Sequence, residues 1–439
     1  MKYPNQDSKS AALFRQAQNV LTEGGSRSTI RIAPYSIYVR EAKGKYITDV
    51  DGNKFLDLNN NYTSMIHGHA HPDIIDAAMR QINRGTGYSF GSEAELALAE
   101  LLCGRSPNFD KIRFMNSGTE AVMNAIKAAR AYTGRPKIAK CENSYHGSYD
   151  FAEVSLGVDP TDLSTGDPVS QAYSKGTPQG VLDDVVVIPF NEPEIARRIL
   201  DENAGELAAV LIDPIGQGLA RIAASDEFLA MIEQFCEQND VIHIADEVIA
   251  FRAGWSGLQG ERNLKPQLTT LGKIIGGGFP VGAVVGNADV MSVFEADETR
   301  AKLPHGGTYN ANPVTMAAGL RAMEMMTTDA FTRLNQLGDA FRKGVQEVFD
   351  LSDTDGEVQG QYSIFSMTLS DPALGDTSAR GHVYRSAGLH RYMVQNGYWM
   401  TPGMIGVLST VMDTADVAPF CETLLSGIRE LREQKASAA

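Results

Sequence analysis

Apolar, β-prone runs at residues 112–115, 137–140, 185–188, 207–212, 241–245 and 281–285 are separated mostly by helical patterns, such as those over 119–132 and 228–238. That alternation is the signature of helices covering a mainly parallel sheet, so it points to an α/β fold. The run 185–188, Val-Val-Val-Ile, is apolar on both faces and reads as a central strand. At 439 residues the chain is too long for one simple core. The reading is a large domain, 71–310, built on the sheet, and a smaller α+β domain drawn from both ends, 1–70 and 311–439.

The flanking segments carry local signals of their own. Residues 8–23 read as an amphipathic helix with Leu13, Ala17 and Val20 on one face, running into Gly24 and Gly25. Two short strands around Asp51 and Gly52, within 46–58, give a hairpin signal. Residues 155–180 are rich in Gly, Pro, Ser and Asp, and so long an irregular insertion predicts a mobile cover over a ligand site. Past Pro313 the pattern turns helical, with Phe331, Leu334, Leu337, Phe341, Val345 and Val348 at helix spacing. A last helix near 419–433 is followed by a tail, 434–439, that reads as disordered.

A net charge of −15 argues against nucleic acid or an anionic membrane as partner, because such surfaces need clustered Lys and Arg. An anionic ligand must then be held by a few local donors. Cys103, Cys141, Cys236 and Cys421 are scattered with no Cys-x-x-Cys pair, so neither a zinc site nor a disulfide framework is suggested. The first ten residues lack an apolar signal region and no apolar run reaches membrane-spanning length, which together favour a cytoplasmic setting.

Against this background one lysine stands out. Lys273 lies between the apolar run Leu268-Thr-Thr-Leu-Gly272 and a triple glycine, Gly276 to Gly278, where the pattern predicts little solvent. Burial favours the neutral amine, the form that attacks a carbonyl. Asp246 ends another buried run, at the edge where open α/β sheets bind ligands, and a carboxylate there can keep a ring nitrogen protonated. Asn116-Ser117-Gly118-Thr119-Glu120 links a strand to a helix, offering hydroxyls, backbone N–H groups and a positive dipole end to an anion. Tyr145-His146-Gly147 lies just past 137–140, where an aromatic ring can stack on a planar ligand. A solvated lysine, a plain N-cap and an acidic helix cap are the structural alternatives for these residues.

Taken in order, these stretches resemble the class III pyridoxal-phosphate aminotransferases, in the branch of glutamate-1-semialdehyde aminomutase and the β-amino-acid transaminases. Asp49-Val-Asp-Gly-Asn53, Gly68-His-Ala-His-Pro72, Leu271-Gly-Lys-Ile-Ile-Gly276 and Gly307-Thr-Tyr-Asn-Ala-Asn-Pro313 extend the match over nearly the whole chain. The resemblance implies pyridoxal 5'-phosphate, fold type I architecture and a homodimer with shared active sites. It implies that Lys273 binds the cofactor as a Schiff base and carries the proton, and that Asp246 pairs with the ring nitrogen. Val248 and Tyr145 would sandwich the ring beside His146. Ser117, Gly118 and Thr119 would hold the phosphate with Thr308 of the neighbouring subunit. Arg27 or Arg31 would read a substrate carboxylate.

Departures from the pattern favour a transaminase over an aminomutase. Asp213-Pro214 stands where the family usually has Glu-Pro, and Tyr62 where the aminomutases carry tryptophan. Near 402–407 the aminomutases' glutamate is missing, and Gly403, Met404 and Ile405 suggest an apolar surface for a hydrophobic donor. The expected reaction moves an amino group from an amine or amino acid to a keto acid. A metal-dependent hydrolase using His67, His69 and His71 is the remote alternative; on a strand the three would share a face.

Overall fold

A computed structural model describes residues 1–27, 32–220, 222–296, 300–369, 371, 373–374 and 387–438. The chain forms two compact units, one from 72–333 and one from 1–71 with 334–439. The second division lies beyond the 310/311 boundary read from the sequence. Helix Pro313–Met325 stays with the larger unit because Val314, Ala318 and Ala322 pack against Ile74 and Ala78.

The larger unit is organised around seven strands: β1 Lys111–Met115, β2 Lys137–Cys141, β3 Val185–Ile188, β4 Leu207–Ile212, β5 Ile242–Asp246, β6 Leu268–Gly272 and β7 Gly282–Gly286. Their order is β1-β7-β6-β5-β4-β2-β3. The contiguous pairs from β6 through β3 are parallel, whereas β7 runs antiparallel to both β6 and β1. Every residue of β4, β5, β6 and β7 is buried, as expected of strands covered on both faces.

β3 is an edge strand, not the central one its composition suggested. Its apolar character has another cause. Val185 and Val187 join a core with Val181, while Val186 and Ile188 pack with Ala196, Ile199 and Leu200 on the opposite side. Two-sided burial here comes from covering helices, which composition cannot distinguish from a central position.

The segment 155–180 contains no long helix or strand, but it is fastened at several points. Thr161 donates from N–H and hydroxyl to the Glu142 carboxylate, and Asn143 exchanges hydrogen bonds with Val158. Ser155 accepts from the Gln171 N–H and donates to the Val169 carbonyl.

In the other unit, Tyr46–Asp49 and Lys54–Asp57 form the expected hairpin, with Gly52 at a φ of +89° in its turn. Tyr398–Trp399 adds in parallel to its second strand, so the two ends of the chain share a sheet. The first helix is shorter than its pattern: it covers Lys9–Ala17, capped by Ser8, and buries Ser10, Ala11, Phe14 and Ala17. Val20 lies outside it and is exposed. The C-terminal helix is longer, Val417–Ala438, so 434–438 continue a helix that was expected to end near 433.

Candidate functional site

The C-terminal ends of β4, β5 and β6 carry Asp213, Asp246 and Lys273 side by side. Register places Ile212 opposite Ala245 and Asp246 opposite Thr270, and Lys273 begins a short 3-10 turn directly after Gly272. Lys273 adopts a φ of +50°, a left-handed conformation that costs a non-glycine residue roughly 1 kcal/mol. The turn then closes through Gly277, at a φ of +60°, where a Cβ would meet the Ala318 carbonyl oxygen at 2.5 Å.

Burial pulls the Lys273 ammonium down to about 8, with Asp246 and then Asp213 opposing the shift and Arg252 reinforcing it. The Asp213 carboxyl is raised well above the usual range, first by burial and then by Asp246, against the pull of Lys273. By surface Asp213 is only half-buried, yet it lies deep among protein atoms, and one oxygen accepts from the Ile215 N–H at 3.0 Å.

Asp246 is the best-furnished anion in the group. One oxygen accepts from the Thr270 hydroxyl at 2.8 Å and the Val248 N–H at 3.2 Å, and the other meets His146 Nδ1 at 2.8 Å. Burial lowers the proton affinity of His146, so the neutral imidazole donates from Nδ1, leaving Nε2 buried with no partner among the described residues. The capping role available to an acidic residue at this turn falls to the neighbour, Glu247. Its buried carboxylate accepts from Leu258 N–H and Gln259 N–H, while burial pushes it up to about 7.

The anion cradle is the N-terminus of helix Gly118–Thr133. Ser117 caps it by accepting from Glu120 N–H, and the first-turn amides have no carbonyl within the helix to bond. Gly118 cannot carry a side chain without displacing its neighbour, since a Cβ would stand 2.9 Å from Val248 Cγ1. Val248 also reaches Gly272, so one valine forms a wall from the cradle to the turn of Lys273. Gly147, at a φ of +91°, brings the Tyr145-His146 loop against Thr119: a Cβ there would be 2.5 Å from Thr119 Oγ1. Ser148 N–H donates to that same hydroxyl.

The structure thus gathers Ser117, Gly118, Thr119, His146, Asp246, Val248 and Lys273 at one end of the sheet. Tyr145 and Thr308 are exposed. Sequence reasoning missed Thr270, which orients Asp246, and Gln217, whose amide donates to the Glu142 carbonyl and the Ser144 hydroxyl just before Tyr145. No periodic signal marks either residue. PLP, an anionic ring with an aldehyde, fits this donor set: a carboxylate already held by three donors, a glycine-lined cradle and a lysine whose proton is loosely held.

Of the residues proposed for substrate, Arg27 and Tyr62 lie in the smaller unit. Arg27 is exposed and donates to Asn61 Oδ1 at 2.9 Å, next to Tyr62. Asn60, Asn61, Tyr62 and Thr63 all have positive φ, from +49° to +76°, a one-turn left-handed stretch braced by Asp57, which accepts from Asn59 and Asn60 N–H. Arg31 lies outside the described residues. The expected apolar surface at 403–405 is not a surface: Met404 and Ile405 are 0% and 1% exposed, because Ile405–Val407 pairs with strand Ile364–Leu369 in the core.

His67, His69 and His71 stand in a turn, not on a strand face. His69 Nε2 bonds Asp57 Oδ2 at 2.7 Å and His67 Nδ1 bonds Thr410 Oγ1 at 2.9 Å. Among the described residues no group of three His, Cys, Asp or Glu side chains can hold a metal, and no helix is long and apolar enough to cross a membrane.

Comparison with known proteins adds lineage to this geometry. The model of the family "Aminotransferase class-III" matches residues 30–395. The glutamate-1-semialdehyde 2,1-aminomutase of Methanothrix thermoacetophila is 34% identical over 82% of this chain and 81% of its own. The crystal structure of an omega-transaminase from Sphaerobacter thermophilus superposes with a TM-score of 0.91 at 45% identity, covering 98% of this chain and 99% of that one. A transaminase solved with PLP bound superposes at 0.90 with 36% identity, over 97% and 98% of the two chains. With the family model spanning most of its length and the fold shared along almost all of it, the chain belongs to the class-III aminotransferases.

Proposed function

We propose that the protein is a PLP-dependent transaminase that moves an amino group from an amine or amino acid to a keto acid by a ping-pong mechanism. The observation that carries this reading is the row Asp213, Asp246 and Lys273 at adjacent strand ends, facing the helix cradle across Val248. PLP supplies an electron sink for the carbon that bears the amino group. Lys273 Nζ is the attachment point, and a lysine drawn down to about 8 exists partly as amine near neutral pH, fit both to attack and to move a proton. Asp246, oriented by hydrogen bonds from Thr270, Val248 and His146, would hold the proton of the ring nitrogen. Ser117, Gly118 and Thr119 bind the phosphate, and Val248 and Tyr145 enclose the ring.

Two further elements belong to the proposal. The functional unit is a homodimer in which Thr308 completes the neighbour's phosphate site. Support comes from its exposure and from apolar side chains left open on the same unit: Phe90 at 90%, with Met79, Tyr88 and Leu96. Substrate carboxylates are read by Arg27 or Arg31, with Tyr62 also facing the substrate. The aminomutase reading rests on the 34% identity to that enzyme, and the 45% identity to an omega-transaminase favours transfer between molecules. Replacing Lys273 with alanine tests the core of the proposal. Multiple turnovers should be abolished while cofactor still binds non-covalently, and near-normal turnover without added amine would refute it.

A further inference from the structure

Lys140 is a lysine the mechanism leaves unused. It sits on β2, two strands from Asp246, with no exposed surface at all. Among the described residues its ammonium contacts no carboxylate. Nζ instead donates to the Cys141 carbonyl at 3.0 Å and the Val154 carbonyl at 2.8 Å. Those two carbonyls stand at the two ends of one segment, a loop that runs into the short helix Asp150–Glu153. Between them run Tyr145, His146 and Gly147, the residues that reach Asp246 and Thr119. One buried cation therefore closes the loop that carries the ring-facing groups.

A neutral donor would satisfy two carbonyls at lower desolvation cost, so the presence of a charge calls for a reason. The charges acting on His146 supply one. Burial disfavours its protonation most, Asp246 opposes that, and Lys140 adds to the effect of burial. Burial draws Lys140 itself down to about 8, against the pull of Cys141 on its strand and Glu142 just beyond, while Asp213, Glu247 and Lys273 stand near Asp246 at the neighbouring strand ends. Without Lys140, burial is left to oppose the carboxylate's pull on the imidazole, so His146 protonates more readily beside Asp246.

We propose that Lys140 is a positioning residue for the cofactor ring: its ammonium fastens both ends of the segment presenting Tyr145 and His146 and places a positive charge on the β2 side of the His146–Asp246 pair. This rests on the transaminase reading above, and that reading is checked first by PLP binding and amino transfer in the unaltered protein.

The test compares Lys140→Met, which keeps volume but removes charge and donors, with Lys140→Gln, which keeps donors without charge. Ile138→Val, a buried change on the same strand, serves as the stability control. Apo melting temperature, PLP Kd and the midpoint of the pH-dependent absorbance of bound cofactor are measured for each. Lys140→Met should weaken PLP binding about tenfold and move the midpoint by roughly half a unit or more. Lys140→Gln should move the midpoint with less than about a threefold change in Kd, and Ile138→Val should lower only the melting temperature. If the Met variant does not fold, an unmoved midpoint in the Gln variant overturns the proposal. A Met variant that behaves like Ile138→Val, or failure of both Lys140 variants to fold, also overturns it by assigning the lysine to the core alone.

Discussion

The imidazole of His146 and the carboxylate of Asp246 meet at 2.8 Å, and both side chains are buried. A contact between a neutral donor and an anion in low dielectric is strong, and here it is one of three donors on the same carboxylate. Asp246→Asn keeps the shape and removes the charge. It should reduce kcat/KM by about 10²–10³-fold with little change in melting temperature. Steady-state kinetics on the purified variant check this, and a loss below about fivefold would remove Asp246 from its role.

The wall between cradle and lysine makes a second prediction. Adding a methyl group at Gly118 puts a carbon 2.9 Å from Val248 Cγ1, so the valine must shift into the ring site or the helix N-terminus must move. Gly118→Ala should weaken PLP binding by about tenfold, and adding Val248→Ala should restore most of it, because the two residues contact each other and their effects are not additive. Equal weakening in the single and double variants would place the damage elsewhere.

Lys273 should show its depressed proton affinity directly. Below about 8 the group is an ammonium and inert to acylation; above it, the amine predominates, well before an ordinary lysine near 10.4 would react. Site-resolved labelling of the apo protein with an amine-selective reagent should therefore rise between about pH 7 and 9 and then level off at this residue. Asp246 and Asp213 hold the value up, so Asp246→Asn should move the midpoint lower. A midpoint that moves higher would contradict the electrostatic account.

Arg27 should matter only for charged substrates. Its guanidinium is anchored on Asn61, within the left-handed turn that also fixes the Tyr62 backbone. Arg27→Ala should raise KM for carboxylated donors by about tenfold or more relative to uncharged amines. Equal effects on both classes would leave Arg27 as a solvated loop residue, with Arg31 then tested in the same way.

Much of the sheet was legible because buried strands announce themselves: 207–212 and 281–285 match β4 and β7 to within a residue. Position within the sheet was not legible, and β3 shows why, since helices on both faces make an edge strand as apolar as a central one. Lys273 could be singled out from its neighbours, but its left-handed backbone could not, because lysine carries no bias toward positive φ. Thr270 and Lys140 make their contacts 24 and 14 residues away in sequence, and only the folded chain brings those groups together. The burial of Met404 and Ile405 was missed because an apolar run beside a Pro-Gly turn looks alike whether it lines a pocket or pairs in a core sheet.

The central claim is transfer of an amino group between two molecules at Lys273. One assay series tests it: hydrophobic amines and β-amino acids with pyruvate or 2-oxoglutarate as acceptor, beside glutamate-1-semialdehyde with no acceptor. A transaminase must release its first keto product before the acceptor enters, so parallel double-reciprocal plots and acceptor-dependent turnover are predicted. Fast conversion of the semialdehyde alone, with no exchange into any added keto acid, would contradict it.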